Sequence, residues 1–204
     1  MSVVGVMITA VSVGFFKLAA FGVDPFQSLM SGLDQLFSIE FGTLYVIVNV
    51  CMLLFALLFD RHYIGIATFI NLFFLGYVVQ FSYETLLMIC PDPSLLIRVL
   101  CFLFGFVALC FGSSIYMTAD LGVSTYDAIA LIMANTWKLW HFKYIRICTD
   151  VVCVIFGITL FLVGGGEKFM ITTFVGIGTI LTAFFMGPLI DLFNRKFSIP
   201  LLNR

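Results

Sequence analysis

The chain has 204 residues, of which 62% are hydrophobic and only 10% charged, with a formal net charge of −1. A water-facing domain carries about 25% charged residues, so this composition excludes an ordinary soluble domain and indicates a polytopic membrane protein. No basic stretch looks like a phosphate-binding surface, which leaves the lipid bilayer, a small solute or another membrane protein as partners.

Six apolar runs are long enough for the ~30 Å hydrocarbon core, which takes about 20 helical residues. In chain order they cover 2–20, 41–59, 63–89, 94–118, 144–163 and 169–193. The first lacks a basic leading segment and an A-x-A cleavage site, so it reads as a retained helix rather than a signal peptide. Two shorter and more polar stretches, 24–38 and 124–138, follow the first and fourth runs. Such lengths reach only ~22 Å at 1.5 Å per residue, so they read as half-helices. Counting them as full crossings gives eight spans as the alternative.

The two short stretches sit in a duplicated context. AAFGVDPFQSLMSGLD (19–34) aligns without a gap to ADLGVSTYDAIALIMA (119–134), sharing Ala19/Ala119, Gly22/Gly122 and Val23/Val123. Further on, GIATFINLFFLG (65–76) aligns with GIGTILTAFFMG (176–187). The expected fold is therefore an all-α integral membrane protein of two repeats, 1–92 and 93–204, each ordered helix, half-helix, helix, helix. Internal duplication of this kind is a recurrent signature of secondary transporters. With the N-terminus inside, Arg61, Lys138, Lys143, Arg146, Arg195, Lys196 and Arg204 all fall on the cytoplasmic side, as the positive-inside rule requires. Lys168 is then the external loop cation, Arg98 lies near an outer helix end, and both termini are cytoplasmic. Three crossings per half make the repeats inverted.

Asp24-Pro25 is a strong helix start, with Asp suited to the N-cap and Pro to the first helical position. Gln27 three residues after Asp24, and Asp127 three after Ser124, match the capping-box spacing. Such caps close helix ends that lipid cannot satisfy. A half-helix start at depth is also a partial positive pole suited to a polar or anionic solute. The expected substrate-binding residues are Asp24, Phe26, Gln27, Asn49, Ser124, Thr125, Tyr126, Asp127 and Asp150. Asp127 and Asp150 are the candidates for proton coupling, because ionisable groups inside a membrane are costly and face a pathway or a bundle interior. Phe26 and Tyr126 either stack on a solute or fill the core. Lys17, Glu84, Arg98 and Asp191 lie close enough to helix ends to snorkel. Trp137, Trp140 and His141 fit an interfacial belt. The six cysteines read as apolar fillers, and no metal, cofactor or enzyme signature emerges.

ADLGVSTYDAIALIMA resembles the signature turn of the YczE/YyaS/YitT group of bacterial integral membrane proteins, which carries a G-x-S-P-aromatic-D element, and AFGVDPFQSL echoes it in the first half. Thr125 stands where the group often has Pro, Tyr126 takes the aromatic place and Asp127 the acidic one, while in the first copy Gln27 replaces the acid. The resemblance implies a bacterial inner-membrane protein with transport or export activity. The expected function is a secondary-transporter-like protein working by alternating access. The alternatives are a substrate-capture subunit that needs a partner ATPase, or a non-transporting scaffold or accessory protein. Gly105, Gly112, Gly176 and Gly178 are small-residue positions suited either to a homodimer or to close packing within the bundle.

Overall fold

The structure, a computed structural model, describes residues 2–37, 41–119, 121–167, 171 and 175–202. Among these the regular elements are all helical: α1 Ser2–Ala19, α2 Pro25–Leu36, α3 Phe41–Phe59, α4 Ile66–Ile89, α5 Leu95–Thr118, α6 Thr125–Leu131, α7 Phe142–Val163, α8 Ile177–Phe193 and α9 Ile199–Leu202. A π-turn, Ile132–Thr136, extends α6, and another, Asn194–Ser198, joins α8 to α9. Among the described residues five helical stretches are long and apolar enough to cross a membrane: α1, α4, α5, α7 and the run Ile177–Leu201. Thr43–Phe59, within α3, is a shorter apolar stretch.

The first five apolar runs match helices to within a few residues. In the sixth, α8 begins at Ile177 after the glycine turn at Gly176 and helix continues past 193 to Leu202, while most of 168–174 lies outside the described residues. Both short stretches end early, at Leu36 and Thr136. The 12 residues of α2 extend only ~18 Å. Asp120, Lys168 and Arg204, used in the alignment or the orientation argument, lie outside the described residues, as do Ser38 and part of 169–174.

Backbone contacts group the chain into two compact units, one of Met1–Ala20, Arg61–Ala128 and Pro188–Arg204, the other of Phe21–Asp60 and Ile129–Gly187. Each unit draws on both sequence halves.

In the first unit α1 packs on both α4 and α5. Small residues make this possible. Gly112 lies against Gly5 and Thr9 of α1, Gly105 lies against the Ser12 carbonyl and Phe15, and Gly14 faces Ser82 of α4, whose hydroxyl donates to the Val11 carbonyl at 3.3 Å. Backbones that approach this closely gain van der Waals contact that lipid tails cannot match. Phe15 packs edge-on against Phe104 and Phe16 tilts against Phe102, with centroids 5.0 and 5.1 Å apart. The outer side of α4 exposes Phe69, Phe73, Phe74, Tyr77 and Phe81. A face so apolar is suited to acyl chains rather than water.

In the second unit α2 lies along α7, crossing where Ser28 and Gly32 meet Gly157, and again where Gln35 and Leu36 meet Gly164. Phe26 packs edge-on against Tyr45 of α3, and Phe55 and Phe59 pack edge-on against Trp137.

Each unit contains the same local device. In the first, Thr68 Oγ1 accepts from Gly65 N at 3.2 Å and donates to the Val123 carbonyl at 2.7 Å, while Ala67 N donates to Leu121 O at 3.0 Å. In the second, Thr179 Oγ1 accepts from Gly176 N at 3.2 Å and donates to the Val23 carbonyl at 2.5 Å, while Gly178 N donates to Phe21 O at 2.9 Å. The turn before each short helix thus docks on the start of a long one. Gly122 and Gly22 have φ of +98° and +106°, a region open to glycine and closed to most side chains. A Cβ at either position would also strike the facing glycine and threonine.

Thr68→Val keeps the side-chain shape but leaves the Val123 carbonyl without its hydroxyl donor. Thermal and SDS-induced unfolding in detergent should show a loss of about 1–3 kcal/mol, and Thr179→Val should cost a similar amount. Thr68→Ser should retain most of the wild-type stability. Equal stability of the Val and Ser variants would show that the hydroxyl bridge contributes nothing.

Candidate functional site: polar clusters in apolar helices

The start of α6, in the first unit, carries one cluster. Ser124 Oγ accepts from Asp127 N at 3.0 Å, the N-cap bond that the sequence spacing implies. The same hydroxyl donates to Asp127 Oδ2 at 2.6 Å, and Tyr116 of α5 donates its phenolic hydrogen to that oxygen too. Asp127 and Tyr116 are 4% and 2% exposed, and Thr125 is buried beside them. Tyr126 is partly exposed. Nearby on the same helix, Ser114 and Thr118 donate to Asn194 Oδ1 at 2.9 and 2.7 Å, and Ser114 shares a hydrogen bond with Ser198. These bonds tie α5 to the π-turn after α8.

The second unit holds the other cluster. Asp24 Oδ1 accepts from Gln27 N at 3.0 Å, capping α2 in the way Ser124 caps α6. Asn49 of α3 is buried and donates to the Tyr45 carbonyl at 2.9 Å. In α7 Arg146 Nε meets Asp150 Oδ2 at 3.2 Å, with side chains 5% and 0% exposed, and an Arg146 Nη2 contact to Met186 Sδ closes the far side. Arg146 also acts electrostatically on Asp24.

The expected site residues thus divide by unit: Ser124, Thr125, Tyr126 and Asp127 belong to the first, and Asp24, Phe26, Gln27, Asn49 and Asp150 to the second. Two further residues belong with them. Tyr116 stands in an apolar run with no local sign of its partner, so sequence could not single it out. Arg146, counted above among the inside cations, is buried and neutralised by Asp150, and it has no weight as a loop charge. Its i,i+4 spacing to Asp150 was the available signal. Among the described residues no group of three or more His, Cys, Asp or Glu is placed to hold a metal ion. Gly105 and Gly112 face α1, and Gly176 faces the Gly22 turn, so all three are used in packing inside a unit.

Comparison with known proteins gives a consistent picture. Residues 1–195 match the family described as a family of unknown function, DUF6198. The chain is 26% identical over 184 residues to the "Uncharacterized membrane protein YczE" of Bacillus subtilis (strain 168), covering 90% of this chain and 78% of that one. It is 23% identical over 190 residues to the "Uncharacterized protein YyaS" of the same organism, covering 93% and 89%. No solved structure matches.

A buried ion pair is most costly when half of it is removed, because the remaining charge loses its partner; the usual penalty is about 3–5 kcal/mol. Asp150→Ala and Arg146→Met should each destabilise the protein by that order in SDS titrations. Arg146→Met combined with Asp150→Leu should recover much of the loss. A double variant as unstable as the sum of the single ones would show that the two side chains act independently.

Proposed function

The chain belongs to the DUF6198 family and is a membrane protein, and on that footing we propose that it moves a small solute across the bacterial cytoplasmic membrane by alternating access. In this reading six helices span the bilayer with both termini cytoplasmic. The short helices α2 and α6 are half-helices of two inverted repeats, 1–92 and 93–204. The matched threonine bridges to Val23 and Val123 support the duplication.

The observation that carries the transport reading is the burial of Asp127, Arg146 and Asp150 in helices otherwise composed for lipid. Charge at that depth is expensive and marks ion or substrate pathways far more often than packing alone. The capped starts of α2 and α6 offer the solute polar groups at a positive helix pole. Asp127 and Asp150 serve as the proton-coupling carboxylates. Arg146 pairs with Asp150, and a proton or solute competes for that pairing.

A second reading, a non-transporting accessory protein, is favoured by one observation: both carboxylates already have partners inside the protein. Proteoliposomes that enclose a pH dye separate the two. The purified protein is offered amino acids, vitamins and amphiphilic cations, and the transport reading expects a solute-dependent proton flux. Asp127→Asn and Asp150→Asn, at normal insertion, should lower that flux at least tenfold. Unchanged flux in both variants would refute the coupling roles. No flux and no ligand-induced thermal shift for any compound would favour the accessory protein.

A further inference from the structure

A cavity of about 380 Å³ opens at the start of α7, in the second unit, lined by Trp140, His141, Tyr144, Ile147 and Cys148. Its size falls within the ~300–1,000 Å³ usual for small-molecule sites. Helix α7 is one of the five stretches able to cross a membrane, and it begins at Phe142. Trp140 and His141 therefore stand just outside the apolar span, at the level where head groups meet hydrocarbon. Trp140 and Tyr144 are both well exposed there.

Two lysines accompany this aromatic wall. Lys143 Nζ lies 4.8 Å from the centroid of the Tyr144 ring, a contact that fixes the side chain and leaves its charge intact. Lys138 is exposed, two residues before Trp140. Neither lysine makes an ion pair among the described residues. The acid joined to this segment is Asp60, which accepts from the Thr136 hydroxyl at 2.6 Å.

The backbone at Lys138 adds an independent sign. Its φ is +53°, the left-handed turn that closes a helix and that glycine usually takes. Leu139 N then donates to the Met133 carbonyl at 3.1 Å, ending the helical run that α6 begins. Lysine is disfavoured in that conformation, so folding alone would select glycine there. Local strain of this kind marks positions retained for use, and the group that lysine adds is an exposed ammonium.

Beyond the aromatic wall the surface suits hydrocarbon. Tyr144, Cys148, Val152 and Phe156 follow one another at four-residue steps on one face of α7, and all four are exposed. The stripe leads from the cavity into the span. Basic side chains at an aromatic interface, above a bare apolar stripe, match a molecule with an anionic head and hydrocarbon tails. A soluble anion would use the lysines but not the stripe.

We propose that this cavity holds the head group of an anionic phospholipid whose acyl chains run down the exposed stripe of α7. Lys138 and Lys143 attract the phosphate, and Trp140 and Tyr144 flank the glycerol backbone.

The test uses the full chain with Trp137→Phe, which leaves Trp140 as the sole tryptophan of the two and keeps an aromatic ring against Phe55 and Phe59. The protein is reconstituted in phosphatidylcholine vesicles containing phosphatidylglycerol or phosphatidylcholine with bromine-labelled acyl chains, and quenching of Trp140 is read. Brominated phosphatidylglycerol should quench more strongly at equal mole fraction, and unlabelled phosphatidylglycerol should relieve that quenching while inorganic phosphate should not. Lys143→Gln should lower the preference for phosphatidylglycerol roughly fivefold, the factor that one cation near a membrane surface contributes. Lys138→Gly should lower it by a similar factor while the protein melts no earlier in detergent, because glycine relieves the left-handed turn. Equal quenching by the two brominated lipids, or a preference unaltered in both variants, would overturn the site. Relief by inorganic phosphate as complete as by phosphatidylglycerol would replace the lipid by a free anion as occupant.

Discussion

Every interruption of a helix inside a bilayer leaves backbone groups that lipid cannot satisfy, and this fold meets that constraint with two threonines. Thr68 and Thr179 each accept from a glycine N–H three residues earlier and donate to a valine carbonyl far away in sequence. One hydroxyl therefore closes two open ends at once, the start of a long helix and the turn before a short one. The positive φ at Gly22 and Gly122 brings the chain close enough for this bond. Without the bridge, the turns that launch α2 and α6 would carry an uncompensated carbonyl in an apolar setting.

Most of the helices were legible in the sequence because their signals are local. Apolar length gave α1, α3, α4, α5 and α7 nearly to the residue, and the Asp24-Pro25 and Ser124-to-Asp127 spacings gave the caps that Gln27 N and Asp127 N complete. The turn that opens α8 left no such local signal. Hydropathy runs smoothly through Val175-Gly176-Ile177, whereas the helix begins only where Thr179 can cap Gly176, and the partner for that cap is Val23. A bond between residues so distant leaves no mark in a local window. The duplicated GIAT and GIGT segments did point to both positions, but not to what they bind.

The polar residues show the same division. Asp150 could be picked out as an acid in a span, but its meaning depends on Arg146 one turn earlier, which charge counting alone assigned to the membrane surface. Once buried, the pair is a single neutral object with a strong dipole. It is held by geometry rather than by a gain over apolar packing, since desolvation offsets most of the Coulomb attraction. Breaking such a pair by removing one partner is strongly destabilising, so it fixes how α7 packs once it is buried.

Asp127 differs from Asp24 in what its carboxylate holds. Its Oδ2 receives hydroxyl hydrogens from both Ser124 and Tyr116. Ser124 is also bound in the cap by Asp127 N. The Tyr116 bond is a direct side-chain tie between α5 and the start of α6. Asp24 instead caps α2 with its own carboxylate, which accepts from Gln27 N. The duplicated turn thus places similar chemistry in two mechanically different positions: in the first copy the acid closes the helix start, and in the second it fastens that start to a neighbouring helix.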